Sequence, residues 1–511
     1  MKSPLSRAIL GHALLLGIAG DALLGGRPGL GFPMWTAVLS LATVSLAMKA
    51  GRVVSGQAAV WLATAVLFSA AVAWRDAEML VSLNSMVVLA ALGMAAISLS
   101  DSRRALLAPR LRDTVWAGGL LFGSLVAGIA PLLIQDVKGT EIEAVGRQKI
   151  WPALRATALA GALLLVFGSL LRADPLFASF VVLPNIDVDL FVEHAVAIGF
   201  LTWTVAGWAR GALVARAGSS GPPDQLPFGL GMLDITAALG SLTVLFAAFV
   251  ATQLGWLFGG EQFLQERTGL TAAEYARKGF FQMVWVALLV VGGLLASRAA
   301  LRPGRGLALR HTALSLPLIA LLGAIIASAV MRMQLYVHYY GLTEDRVYAL
   351  VFMGWLAVVV AWLAVTVLRG WGRPFVAGAA VSGLVILAAL NVVSPDALIA
   401  RMNIERAARA EEGSSPPLDL VHLAKLSGEA AELAVAAVVS SHAADPTSRC
   451  KAAQVLLKRW GPLSPAVQQE RHPASWRTWN AGDVAAIRAV SKREAELREL
   501  RRAGCPVASG S

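Results

Sequence analysis

Twelve apolar runs, each close to the length of a membrane-crossing helix, fill the first 394 residues. They lie near 8–24, 33–48, 58–74, 80–99, 114–134, 153–172, 190–209, 229–257, 280–297, 312–331, 347–368 and 375–393. About 20 mostly apolar residues are needed for a helix to cross a bilayer. Unpaired backbone groups are too costly in lipid for long runs to be anything but helical. β-Barrel strands would be shorter and would alternate in polarity. The expected fold is therefore all-α. A polytopic transmembrane helical bundle of about 11–12 spans occupies residues 1–394, and a soluble, mostly helical C-terminal tail occupies 395–511.

Composition points the same way. Of 511 residues, 57% are hydrophobic and 15% charged, where a soluble domain carries about 25% charge. The net charge of +12 does not imply nucleic acid, because many Lys and Arg residues sit in short gaps between apolar runs, where positive charge sets membrane orientation. The expected partner is the lipid bilayer, with no nucleic acid. Lys2 and Arg7 before the first run mimic a signal peptide, but further runs follow and no clear A-x-A site is present. That run reads as an uncleaved first span.

Gly25–Gly31, Gly218–Pro223 and Arg302–Gly306 have loop chemistry. Residues 395–511 hold 16 Lys+Arg and 13 Asp+Glu, so charge density roughly doubles there. Residues 410–417, AEEGSSPP, read as a hinge. Amphipathic helices are expected near 418–440, 447–460 and 483–502, with starts at Asp419 and Pro446.

Five basic gaps should face the cytoplasm: Lys49/Arg52, Arg103/Arg104/Arg110/Arg112, Arg210/Arg216, Arg298/Arg302/Arg305/Arg310 and Arg369/Arg373. Three runs between 113 and 210 would put two of these gaps on opposite sides. The segment 172–190 reads as a re-entrant or interfacial stretch that changes the count. If the later gaps govern, the tail lies outside. Both cysteines, Cys450 and Cys505, fall in the tail. On an oxidising face they could pair; otherwise they are unrelated thiols.

No P-loop, G-x-G-x-x-G, H-E-x-x-H or G-x-S-x-G is present, and the seven histidines show no metal-ligand spacing. No metal site and no cofactor is expected. Polar residues in or beside spans come next, because lipid makes them costly: Asp21, Glu193, His194, Asp234, Gln253 and Arg332. Span-end placement accounts for most. Arg332 has Tyr336 one helical turn on, with Tyr339, Tyr340, Arg346 and Tyr348 close behind. An aromatic interfacial belt explains the tyrosines; a head-group or carboxylate site is the alternative. Thr271 and Glu274 have capping-box spacing, and Glu274 and Arg277 can pair; Tyr275 lies between them. Asn391, Asp396 and Asn403 mark the end of the last span. Parity puts all three clusters on one face. Together Glu274, Tyr275, Arg277, Arg332, Tyr336, Arg346, Asn391, Asp396 and Asn403 form a candidate polar-face site, with Glu274 or Asp396 the acid expected for Arg332.

Five strings, LFGG (257–260), AEYARKGFF (273–281), SAVMRMQLYVHYYGLTEDRVY (328–348), LNVVSPDALIARMNI (390–404) and WRTWN (476–480), resemble an uncharacterised bacterial membrane family. It is domain of unknown function 4173, closely akin to 4153. The likeness runs from about Arg172 to Asn480; the earlier spans resemble the family in hydropathy alone. Ser394 departs from the pattern, which has Asn before Pro-Asp. The resemblance implies a fold and a bacterial inner-membrane location, and no activity.

Three roles fit. One is a non-enzymatic envelope sensor or scaffold whose tail binds an unidentified protein partner. A transporter or lipid-handling protein is the second, and a membrane enzyme acting on a lipid-linked head group the third. Internal symmetry would favour the second and a paired acid and base the third.

Overall fold

The computed structural model describes residues 2–100, 111–128, 130, 132, 188–214, 231–268, 280–301, 305–368, 375–409, 418–441, 445–461 and 476–504. Eleven of the twelve apolar runs are helices: α1 (Lys2–Leu24), α2 (Gly31–Lys49), α3 (Gly56–Trp74), α4 (Glu78–Ser100), α5 (Leu111–Ala127), α6 (Val188–Leu213), α7 (Met232–Thr268), α8 (Phe280–Ala299), α9 (Arg305–Tyr340), α10 (Glu344–Leu368) and α11 (Phe375–Val393). The twelfth run, 153–172, lies outside the described residues. Among the described residues, nine helices are long and apolar enough to cross a membrane; the apolar parts of α5 and α8 are shorter, Gly118–Ala127 and Trp285–Arg298. Large apolar side chains point outward from the bundle, with Leu41 and Leu89 each 70% and Val244 72% exposed. Such a surface is stable only against lipid.

The bundle has two apolar cores. α1–α6 enclose Ile9, Ala13, Leu16, Leu80 and Ala206, with Leu387 of α11 joining them. α7–α10 enclose Ile235, Leu318, Leu322, Met353 and Leu363. α11 packs against both α10 and α4 and so links the halves. Inside that link Asn84 and Asn391 exchange two amide hydrogen bonds at 2.9 and 2.8 Å.

Parity follows from contacts. The Arg52 guanidinium donates to Leu99 O (2.5 Å) and Ala212 O (3.3 Å), so the α2–α3 turn and the C-terminal ends of α4 and α6 share a face. Leu121 lies beside Gly211 and Val126 beside Trp203, which makes α5 and α6 antiparallel. Residues 111 and 213 are therefore on that same face. The antiparallel pair α5 and α6 thus brings the start of one and the end of the other to one face; the candidate third run and most of 172–190 lie outside the described residues.

The tail gathers on the opposite face. It comprises α12 (Pro395–Arg409), α13 (Leu420–Lys425), a 3-10 turn (Gly428–Ala430), α14 (Ala431–Ser440), α15 (Pro446–Trp460), a second 3-10 turn (Trp476–Thr478), α16 (Ala481–Lys492) and α17 (Glu494–Gly504). Asp419 caps α13 by accepting from His422 N at 2.9 Å, and Asp445 caps α15 with Pro446 in its first turn. The helix expected over 418–440 breaks at Ser427-Gly428, and the one over 483–502 breaks at Arg493. Leu420, Leu423, Ala434, Val438, Leu456 and Val490 form the tail core, which also takes in Leu342 and Val347 from the α9–α10 turn.

Candidate functional site

The short α3–α4 connection carries Arg75 and Asp76, and both turn toward the tail. The break at Ser427-Gly428 leaves two backbone N–H groups outside any helix, and each meets a carboxylate. Gly428 N donates to both oxygens of Asp76 at 2.9 Å. Ser427 N donates to Asp396 Oδ2 at 2.8 Å. Glu429 closes the joint: its Oε1 accepts from Asp76 N at 3.0 Å and its Oε2 from the Ser427 hydroxyl at 2.5 Å. Small residues make this approach possible. A methyl group at Gly482 would lie 2.6 Å from Asp76 Oδ1, and one at Gly428 3.1 Å from Oδ2.

Around the acids, polar side chains satisfy the loop backbone. Arg75 donates to Asn391 O (2.7 Å) and Val392 O (3.3 Å), stands 3.9 Å from Glu429, and stacks 4.2 Å over the Trp74 ring. Asn480 donates to Val72 O (3.0 Å) and Arg75 O (2.9 Å), and its Oδ1 caps α16 through Gly482 N (2.8 Å). One side chain thus ends α3 and begins α16.

Three carboxyls and one guanidinium cannot all be charged at low cost. Burial is the main force pushing the Asp76 carboxyl up, and the hydrogen bond and negative charge of Glu429 add to it, bringing it to about 8. For Glu429 burial works against ionisation, but hydrogen bonds from Asp76 and Ser427 outweigh it and hold the group below its usual range. Burial also raises Asp396, against the opposing Ser427 bonds. The two carboxyls are thus pushed apart: the joint favours the protonated form of Asp76 and the charged form of Glu429, whose carboxylate lies next to Arg75. Asp396 is 1% exposed, and its Oδ1 has no hydrogen-bond partner among the described residues.

A cavity of about 940 Å³ opens beside Asp76. Arg27, Pro28, Glu78, Val81 and Ser82 line it from the bundle; Val455, Lys458, Arg459, Trp460, Asn480 and Asp483 line it from the tail. Arg459 stacks 4.1 Å over Trp460 and donates to Lys425 O and Leu426 O (2.5 and 2.8 Å).

The residues singled out from sequence divide into separate places. Glu274, Tyr275 and Arg277 lie outside the described residues. Arg332 is buried on α9; Asp396, one of its expected acids, bonds Ser427 instead. Arg346 stacks 4.2 Å over Tyr336 and 6.0 Å from the Tyr340 ring, and it donates to Gly341 O. Asn403 clamps Leu342 through both N–H and C=O at 2.8 Å. These contacts fix the α9–α10 turn, where Gly341 adopts φ +76°. Asn391 belongs to the buried pair with Asn84. Asp21 meets His194 at 2.8 Å. Sequence reasoning missed Arg75, Asp76, Asn84, Glu429 and the cavity. Two signals were available: Asn84 interrupts an apolar run, and Asn480 ends the WRTWN string.

Residues 62–437 match the family described as Domain of unknown function (DUF4153). The chain belongs to this family. The DUF4153 match covers about three quarters of the chain and begins inside α3, far ahead of Arg172. It ends in α14, short of Asn480. Arg75, Asp76, Asn84, Asn391, Asp396 and Glu429 therefore all lie within the DUF4153 stretch, while Asn480 and the tail side of the cavity lie beyond it. No curated protein and no solved structure matches the chain.

Proposed function

We propose that this integral membrane protein is a non-enzymatic envelope sensor or scaffold of a bacterial inner membrane, akin also to domain of unknown function 4173. Residues 1–394 are the membrane domain, and 395–511 form a soluble periplasmic tail that offers a surface to a protein partner. The observation that carries this reading is the buried joint of Asp76, Asp396 and Glu429 with Ser427 and Gly428. It ties the tail to the bundle through groups whose charge state depends on the surroundings.

Two features support the orientation. Lys49, Arg52, Arg210, Arg298 and Arg310 belong to the bundle ends away from the tail, as the excess of cytoplasmic positive charge requires. Cys450 is disulfide-bonded, a state that persists in oxidising compartments; Cys505, the other cysteine of the sequence, lies outside the described residues.

Hydrogen–deuterium exchange on the full chain in nanodiscs tests the role. Amides of 427–440 should be protected at pH 6 and lose protection as the pH passes about 8. Protection independent of pH would leave the sensor without its responsive element. The cavity beside a proton-holding Asp76 favours one second reading, an enzyme acting on a lipid-linked head group; turnover lost in Asp76→Asn would decide for it.

A further inference from the structure

The cavity of about 940 Å³ beside the α3–α4 turn has an unusual charge pattern. Arg27 and Lys458 face it as cations, Glu78 and Asp483 as anions. Among the described residues none of these four side chains makes an ion pair or a side-chain hydrogen bond. Opposite charges line one space yet are held apart by the elements that carry them: the loop after α1, the first turn of α4, the end of α15 and the first turn of α16. Arg459, braced by Trp460 and two carbonyls, adds a third cation whose position is fixed.

A simple anion would be drawn to the cations and repelled by Glu78 and Asp483. A simple cation would meet the reverse. A molecule with both charges a few ångströms apart satisfies each set. Two guanidinium groups and an ammonium suit a phosphate, because guanidinium forks match its oxygens. Two carboxylates suit an ammonium, which brings three N–H donors. Depth in the membrane agrees: Glu78 opens a spanning helix, and Arg27 follows the end of another by three residues. That is where head groups lie. The volume falls within the range of small-ligand sites, about 300–1,000 Å³.

We infer that this cavity binds a zwitterionic phosphate–ammonium group of the phosphoethanolamine type, with the phosphate toward Arg27, Lys458 and Arg459 and the ammonium toward Glu78 and Asp483. Such a site holds whether or not the joint senses protons, and whichever face the tail occupies.

Calorimetric titration of the full chain in lauryl maltoside tests it with three probes: dihexanoyl-phosphatidylethanolamine, dihexanoyl-phosphatidylglycerol and free phosphoethanolamine. The ethanolamine lipid should bind at least tenfold more tightly than the glycerol lipid, which lacks the ammonium. Arg27→Ala with Lys458→Ala should weaken it at least tenfold, and so should Glu78→Gln with Asp483→Asn. All four side chains border open space, so helicity by circular dichroism should be unchanged. Free phosphoethanolamine binding as well as the lipid would make the natural ligand soluble; binding of the lipid alone would make it a membrane component. Equal affinity for the two lipids, or lipid binding untouched by both double variants, overturns the assignment. Should a double variant fail to fold, the comparison of the two lipids on the native chain still decides.

Discussion

Asp76 shows how far one residue's surroundings can move its chemistry. In an undocked chain its carboxyl would titrate near 3.8; in the joint it holds a proton up to about 8. A raised folded value means that the proton favours the docked form. The stability it contributes is complete below the undocked value and is lost as pH rises through about 8. Glu429, whose value is lowered, acts the other way and only on the acid side, where stability falls as pH drops. Tail docking should therefore weaken from neutral to mildly alkaline pH. Asp76→Asn keeps an acceptor for Gly428 N and a donor for Glu429 without the charge, and should flatten that dependence in hydrogen exchange. Ser394 poses a different problem at the same scale. It sits between α11 and α12 at φ +56°, a region that costs a residue with a Cβ roughly 1–2 kcal/mol and that Gly and Asn tolerate best. Ser394→Gly should leave the thermal midpoint unchanged or raise it, and Ser394→Val should lower it by about 1–2 kcal/mol in stability.

Among the elements, α11 has the most exposed task. It packs on α4 as well as on α10, and its polar contact with α4 is the Asn84–Asn391 pair. Two buried amides that satisfy each other are safe together and costly apart. Asn84→Leu or Asn391→Leu alone should destabilise the protein by about 1–3 kcal/mol. The double variant should recover part of that loss in a double-mutant cycle read by thermal unfolding. The spans themselves were legible in the sequence, because lipid imposes a simple rule on length and polarity that no distant contact overrides. So were the helix starts at Asp419 and Pro446, whose chemistry is local. The joint was not. Asp76 and Glu429 are 353 positions apart, and each alone looks like an ordinary charged residue in a turn. The break at Ser427-Gly428 was hidden too, since the apolar spacing continues across it. At the break two carboxylates take up the N–H groups of Ser427 and Gly428. Asn403 was noticed as a polar residue, but its contact with the Leu342 backbone, 61 positions away, was not legible.

For the whole molecule, orientation is the property that most constrains function. A tail on the oxidising face predicts that a membrane-impermeant maleimide labels the tail cysteines, Cys450 and Cys505, in intact cells only after reduction. Labelling by permeant reagents alone, without reduction, would place the tail inside. The bundle and tail are also less separable than a boundary at 394 suggests. Trp479 O accepts from Leu30 N at 3.0 Å, Asn480 closes α3, and Gly428 holds Asp76. Gly482→Ala, whose methyl would press on Asp76, should expose residues 427–440 to exchange while leaving the spanning helices protected.

These cross-contacts also set a timetable. The α1–α2 and α3–α4 turns leave the ribosome about 350 residues or more before Gly428 and Trp479 do. Until then Asp76 and Leu30 N must find water or each other's neighbours as temporary partners. The first half of the protein waits, inserted but unfinished, for the last part of its own chain. A nascent chain stalled before Gly428 would show those open turns at the membrane surface, marking it as incomplete to any protease that patrols there.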